Sequence, residues 1–532
     1  MPNPVDLVLV NGLVWTGEAG APLEEAVAIR DGRVRAVGST SSIERYRDDE
    51  TRVIDLGGRL LIPAFSDAHT HFISGGFQLA GVDLRVAETP EEFTRLLGAY
   101  ASMQPVGTWI DGGDWDHERW PGAPLPDRTW IDSVTADHFV FVSRLDGHMG
   151  LANSRALERA GIDESTPDPP GGTIVRDPSG RPTGVLKDAA MDMIWEVLPE
   201  PSAGEIDEAL MRAQAHALSL GVAAVHDMGS WEGLDTYVRA QRDGRLRMRV
   251  YAVVPIATWR RLVSYVTRHG RGDDMLQWGG LKGFVDGSLG STTAWFHEPY
   301  VDEPGTTGLM VTDTSALREM IMAADAARLH VMVHAVGDRA NDWLLDVYRD
   351  TESRNGERDR RFRVEHAQHL TDEAIGRFGE MGVIPSMQPY HAADDGRWAE
   401  KRIGPDRIRN TYAFRDLIDS GARPAFGSDW TVAPLDPLEG IRAAVTRRTI
   451  DGANPDGWVP EQKISVEEAL VGYTRNAAFA GYMEDDIGRI AEGMAADLVV
   501  LSDNILGDDP GALERARVDL TLVNGAVVYR RR

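Results

Sequence analysis

The chain has 532 residues, 42% of them hydrophobic, and no cysteine; 56 Lys and Arg stand against 83 Asp and Glu, a formal charge of −27 at pH 7. The missing cysteines exclude a disulfide framework, a thiolate zinc site, a cysteine-ligated iron–sulfur cluster and a thiol nucleophile, so any metal must be held by His, carboxylate, carbonyl or a modified side chain. The acidity argues against nucleic acid or an anionic membrane as partner, because both are bound through clustered Lys and Arg. The opening MPNPVDLVLVNGLVW does not read as a signal peptide, since it lacks a basic start and Asp6, Asn11 and Gly12 break its apolar run. No stretch reaches the roughly 20 apolar residues of a membrane-spanning helix. A cytoplasmic enzyme or binding protein is the expectation.

The elements begin with short β-rich runs at 5–10, 26–29 and 33–37, separated by NG and DG, which signal tight hairpins. The same texture returns at 497–501 and 519–523, followed by NG and AVVY. Chain ends often lie close together, so 1–58 and 483–532 are expected to build one small discontinuous β-sandwich. Between them strand-like and helical runs alternate, which predicts βα units around a parallel sheet. Eight runs qualify as strands: 60–66, 138–143, 221–227, 281–285, 330–334, 361–365, 382–387 and 423–428. In the helical run 205–220, Ile206, Leu210, Ala213, Ala217 and Leu220 share one face. Eight such units make a TIM barrel over 59–482 the expected α/β fold. The stretch 72–200 is too long for one unit and is rich in Trp, Gly and Pro, so it is expected to be an insertion over the barrel mouth.

The chemistry-bearing residues sit at the ends of these strands. His69 and His71 follow the first buried run, and residues i and i+2 of a strand point to one side. His334 ends HVMVH, His366 follows RFRVE, Asp429 ends RPAFGSD, and Lys282 lies within LKGFV. Each has a plain alternative: His334 as a satisfied core histidine, Asp429 as a helix N-cap, Lys282 with its amine in solvent. Together they are hard to explain by packing, because a barrel interior calls for Val, Ile and Leu and its strand ends form the active site.

This constellation resembles the amidohydrolase superfamily of metal-dependent TIM-barrel hydrolases, almost over the whole chain. Residues 62–71, IPAFSDAHTH, are similar to its Pro-Gly-x-x-Asp-x-His-x-His entry, with Ala64 where Gly is usual. EGMAADLVVL resembles its C-terminal β-domain signature. WIDGGDWDHERWP (109–121), LDGHMGLANSRAL (145–157), RPTGVLKDAA (181–190), GVAAVHDMG (221–229), KGFVDGSLGSTTA (282–294) and RVEHAQH (363–369) resemble the YtcJ-like, or amidohydrolase-3, branch that includes N-substituted formamide deformylases.

The resemblance implies that His69 and His71 bind one divalent metal and that His334 and His366 bind a second. It implies that Lys282, carboxylated by CO₂, bridges the two; an unmodified Lys282 would leave a single-metal site on the histidines and Asp429. Carboxylation needs a neutral amine, and burial lowers a lysine pKa. Zinc suits these donors, one or two ions per chain, with manganese, iron or cobalt as alternatives. Asp429 would ligate weakly and act as general base toward a metal-activated water. Substrate-facing candidates are His148, His226 and Asp286, each of which equally fits a structural role, and Trp115, for which core packing is the better reading.

The expected reaction is hydrolysis of an amide-type C–N bond in an N-acyl, N-formyl or cyclic amide. The alternatives are a deaminase, lactonase or isomerase on the same barrel, or a non-catalytic scaffold. A deaminase would add a glutamate near His334, and AVGDRAND lacks one. A homodimer is what the family resemblance implies.

Overall fold

The structure, a computed structural model, describes residues 5–509 and 511–532; residues 1–4 of the expected N-terminal β segment lie outside it. Eight parallel strands form the centre: β1 Phe65–Thr70, β2 Val222–Met228, β3 Arg249–Pro255, β4 Leu276–Phe284, β5 His330–Ala335, β6 Arg363–His366, β7 Ile384–Met387 and β8 Ala425–Phe426. They pair in chain order. A parallel bridge between Thr70 and Trp430 joins the β8 end to β1 and closes the ring. The protein is thus an α/β TIM barrel carrying further sheets.

The helix Ala203–Ser219 shows how the outer layer is specified. It starts at a capping box in which Ser202 and Glu205 satisfy each other's backbone N–H groups. Leu210, Ala213 and Ala217 are fully buried, whereas Ile206 and Leu220 are half-buried at the edge of the stripe.

Two strand assignments change. The run 138–143 is a strand, Phe139–Arg144, but it belongs to a separate five-stranded sheet with Trp109–Trp115, Met149–Ala152, Pro182–Asp188 and Gly172–Arg176. The barrel takes RVYAVVP, β3, in its place. Both runs are short, apolar and β-branched, and that local pattern does not tell one buried sheet from another. The run 60–66 is also divided. Leu60–Pro63 pairs antiparallel with Leu498–Leu501, and the chain then enters β1 at Phe65.

At the chain ends, Leu13–Val14, Leu60–Pro63, Leu498–Leu501, Val518–Val523 and Ala526–Arg530 form one five-stranded sheet. A four-stranded sheet of Leu7–Val10, Ala26–Arg30, Arg33–Gly38 and Arg52–Asp55 packs on it through a shared core that includes Leu9, Ile29, Leu61, Leu498 and Leu522. Arg249 at the start of β3 ties this layer to the barrel, with Nε 2.7 Å from Asp497 Oδ2. The insertion has an apolar core of its own, in which Trp115, Trp120, Phe93, Leu84 and Val142 pack together.

Candidate metal centre and active-site cleft

Strands β1 and β8 meet at the mouth through their backbones. His71 N donates to Trp430 O at 2.6 Å and Asp429 N to His69 O at 2.7 Å. Between them the Asp67 carboxylate accepts N–H groups from His69 and Ser428, each at 3.0 Å. A Cβ on Gly427 would stand 2.5 Å from His69 N, so this approach requires glycine. Two site residues depart from strand geometry: His366 has φ 75° and Asp429 φ 58°. Left-handed backbone at non-glycine residues is costly and concentrates at functional sites.

The result is convergence. His69, His366 and Asp429 each offer a ligand atom, all within 4.8 Å of one another. Asp429 Oδ1 is 3.4 Å from His69 Nε2 and 3.4 Å from His71 Nε2. Lys282 Nζ lies 3.2 Å from His69 Nε2. The His334 and His366 rings are 4.5 Å apart, centroid to centroid. His334 Nε2 contacts Gly287 O at 3.0 Å and stands 3.7 Å from Asp286. Gln388 Oε1 lies 2.8 Å from His366 Nδ1.

Burial sets the charges. It pulls the His69 imidazole down to about 4, with the Lys282 charge acting in the same direction. His334 and His366 are likewise held well below the usual range, first by burial. Neutral imidazoles are the form that binds metal. Burial also lowers the Lys282 amine to about 8. For Asp429 burial alone would raise the carboxyl, but His69, His71 and His366 hold it well below the usual range.

The residues fit a divalent cation. Asp429 Oδ1 is buried and has no hydrogen-bond partner among the described residues, and a buried unpaired carboxylate oxygen is costly. The surrounding donors are neutral nitrogen and anionic oxygen, the set that zinc and its neighbours in the periodic table take.

The cluster floors a cleft of about 750 Å³, mouth included. Its walls bring in Arg144, Asp146 and His148 from the insertion, together with His391, Asp395 and Trp398 from after β7. His148 Nδ1 pairs with Asp188 at 2.7 Å; burial works against its charge, but that bond and the Asp188 charge raise its pKa.

The other substrate-facing candidates lie elsewhere. Asp286 is buried behind His334, accepting N–H groups from Trp295, Val336 and Gly337. His226 is buried inside the barrel against Arg363. Trp115 is in the insertion core, its indole N–H on Val142 O at 2.8 Å. None of these three lines the cleft. Trp115 and His226 are apolar-bodied side chains whose polar atom finds its partner or its resting place within the core, which placement along the chain does not reveal.

Sequence reasoning passed over Arg363, Glu365, Gln388 and His391. The available signal was charge inside an apolar strand, since Arg363 and Glu365 alternate with Val364 in RVEH and so share one face.

Comparison with known proteins gives the family of the chain. The sequence signature described as "Amidohydrolase family" matches residues 52–529. Protein LONG AFTER FAR-RED 3 of Arabidopsis thaliana is 40% identical over 98% of this chain and 91% of its own. YtcJ of Bacillus subtilis (strain 168), named as an amidohydrolase, is 32% identical over 97% of this chain and 98% of its own. The N-substituted formamide deformylase of Arthrobacter pascens is 26% identical over 99% and 98%. Among solved structures, an uncharacterized metal-dependent hydrolase from Pyrococcus furiosus superposes with a TM-score of 0.74 at 29% identity, covering 94% of this chain and 100% of that one. The chain belongs to the amidohydrolase family, in its YtcJ-like branch.

Proposed function

We propose that the protein is a metal-dependent hydrolase that cleaves an amide-type C–N bond in a small N-acyl, N-formyl or cyclic amide, with Asp429 as general base. The observation that carries this reading is the buried Asp429 carboxylate, which presents an unpartnered oxygen at the centre of an imidazole cluster that floors the cleft. The similarity to a relative named as an N-substituted formamide deformylase favours a C–N substrate.

A divalent cation, taken to be zinc, supplies Lewis acidity there, bringing the pKa of water toward 7 and polarising a carbonyl. The chain's own groups do the rest. His69, His71, His334 and His366 offer lone pairs, because burial keeps at least three of them neutral. Asp429, held ionised, takes a proton from the attacking water and delivers it to the leaving nitrogen. The buried Lys282 amine, lowered to about 8, is poised to add CO₂. Its nitrogen forms the new C–N bond and loses a proton, giving an anionic carbamate that complements the cation.

Metal analysis of purified protein is expected to find one or two divalent ions per chain. With metal loaded, a panel of formamides, N-acyl amino acids, cyclic amides and lactones should show turnover on an amide. Turnover confined to lactones would replace the C–N reading with an ester one, and a protein that holds no metal after reconstitution would end both.

A further inference from the structure

Beneath the cluster the barrel interior carries charges that the hydrolytic reading does not use. Barrel interiors are filled by branched apolar side chains, yet Arg363, Glu365 and His226 are each 0% exposed. Arg363 donates from Nε to Glu365 Oε1 at 2.8 Å and from Nη2 to Glu365 Oε2 at 3.0 Å. Nη2 also reaches Ala68 O on β1 at 2.6 Å and Ser386 Oγ on β7 at 2.9 Å. Nη1 donates to His226 Nδ1 on β2 at 2.7 Å. One guanidinium on β6 therefore braces three other strands as well as its own.

Proton positions follow from which groups can donate. A guanidinium has no acceptor, so His226 Nδ1 is a lone pair and its proton sits on Nε2, a buried atom without a hydrogen-bond partner among the described residues. Glu365 Oε2, already held by Arg363, lies 2.5 Å from His69 Nδ1. The carboxylate accepts there, so His69 carries its proton on Nδ1 and turns its Nε2 lone pair toward Asp429 and Lys282. Burying a lone ion pair costs more than it returns unless its hydrogen bonds are complete. Here the guanidinium faces five acceptor atoms, three of them sharing the two N–H groups of Nη2, on strands β1, β2, β6 and β7.

We propose that the buried Arg363–Glu365 pair, footed on His226, is a positioning device that fixes the His69 tautomer and ring orientation and thereby sets the cation affinity of the site. This rests on the cluster being a cation site, and not on which bond is cleaved. A carboxylate behind a ligating imidazole raises its basicity, and its loss costs metal affinity by about 10–100-fold.

Cobalt(II) is the probe, with full-length protein, a competing chelator for affinity and the visible absorption of the bound ion for geometry. Glu365→Gln keeps an acceptor oxygen for His69 but removes the charge, and is expected to weaken Co(II) binding about 10–100-fold and shift the absorption bands. Glu365→Asp restores the charge and should recover part of the affinity. His226→Gln, whose amide oxygen can accept from Arg363, is expected to bind as the parent does, whereas His226→Leu weakens binding. The His226 pair decides the matter if Glu365→Gln does not fold. Folded Glu365→Gln with parental affinity and spectrum, or equal binding by the two His226 variants, overturns the inference. A parent protein that takes up no Co(II) overturns the cation reading with it.

Discussion

The barrel mouth and the insertion carry the most conspicuous side chains of this chain, and they use them in opposite ways. His69, Lys282, His334, His366 and Asp429 come from five different βα units, and the closure of β8 onto β1 brings His69 and Asp429 to the others. Trp115 and Trp120 come from one short motif and pack on each other, with ring centroids 6.1 Å apart. The mouth stores cost: left-handed backbone at His366 and Asp429, and a buried carboxylate oxygen without a partner. The insertion core relieves it, since both indole N–H groups find carbonyls, Val142 O and Ala87 O. At the mouth the unrelieved cost coincides with the candidate site, whereas these two insertion tryptophans are satisfied.

Four substitutions test that contrast. Asp429→Asn attacks the mouth alone. Turnover is expected to fall about 10²–10⁴-fold, with the thermal midpoint close to the parent; a parental rate would remove Asp429 from proton transfer. Trp115→Ala attacks the insertion core alone. It should cost about 3–5 kcal/mol in denaturant unfolding while folded molecules keep their cation and their rate, and a selective loss of rate would turn Trp115 back into a pocket residue. His148→Ala sits on the border, an insertion residue that lines the cleft. The expected loss in kcat/KM is about tenfold, roughly 1.4 kcal/mol, with metal content unchanged by elemental analysis. Depletion of metal would make it part of the cluster instead.

The smallest effect concerns the cleft wall and pH. Burial lifts the Asp395 carboxyl from 3.8 to about 7. A carboxyl raised in the fold contributes stability while protonated. That contribution is complete below about pH 4 and is lost as pH rises through about 7. Asp395→Asn keeps an acceptor for Tyr412 and Gln368, the present partners of its Oδ2. Its thermal midpoint should match the parent near pH 4 and exceed it at pH 8. An equal offset at both pH values would show that Asp395 does not titrate across this window.

Much of the fold was legible. The alternation of strands and helices, the apolar face of 205–220 and the returning β texture at the C-terminus are local patterns with local causes. The assignment of 138–143 to the barrel, and the omission of 249–255, failed because sheet membership is a long-range property that two similar apolar runs do not express. The site divides in the same way. His69, His71, Lys282, His334, His366 and Asp429 stood out because charge at the end of a buried strand is hard to explain by packing. Glu365 and Arg363 did not, because their meaning lies in partners on other strands, His69 and Ala68 on β1, His226 on β2 and Ser386 on β7.

By itself, then, the sequence determined the donor set: with no cysteine, a metal centre here can be built only from His, carboxylate, carbonyl or a modified side chain such as Lys, and the barrel pattern places His, Asp and Lys at strand ends. Only the tertiary structure decided which of them converge, which nitrogen of His69 is free, and that His226 and Trp115 stand outside the cleft. Residue type and spacing act over a few positions, whereas ring closure, burial and the pairing of charges across strands exist only once the chain has closed on itself.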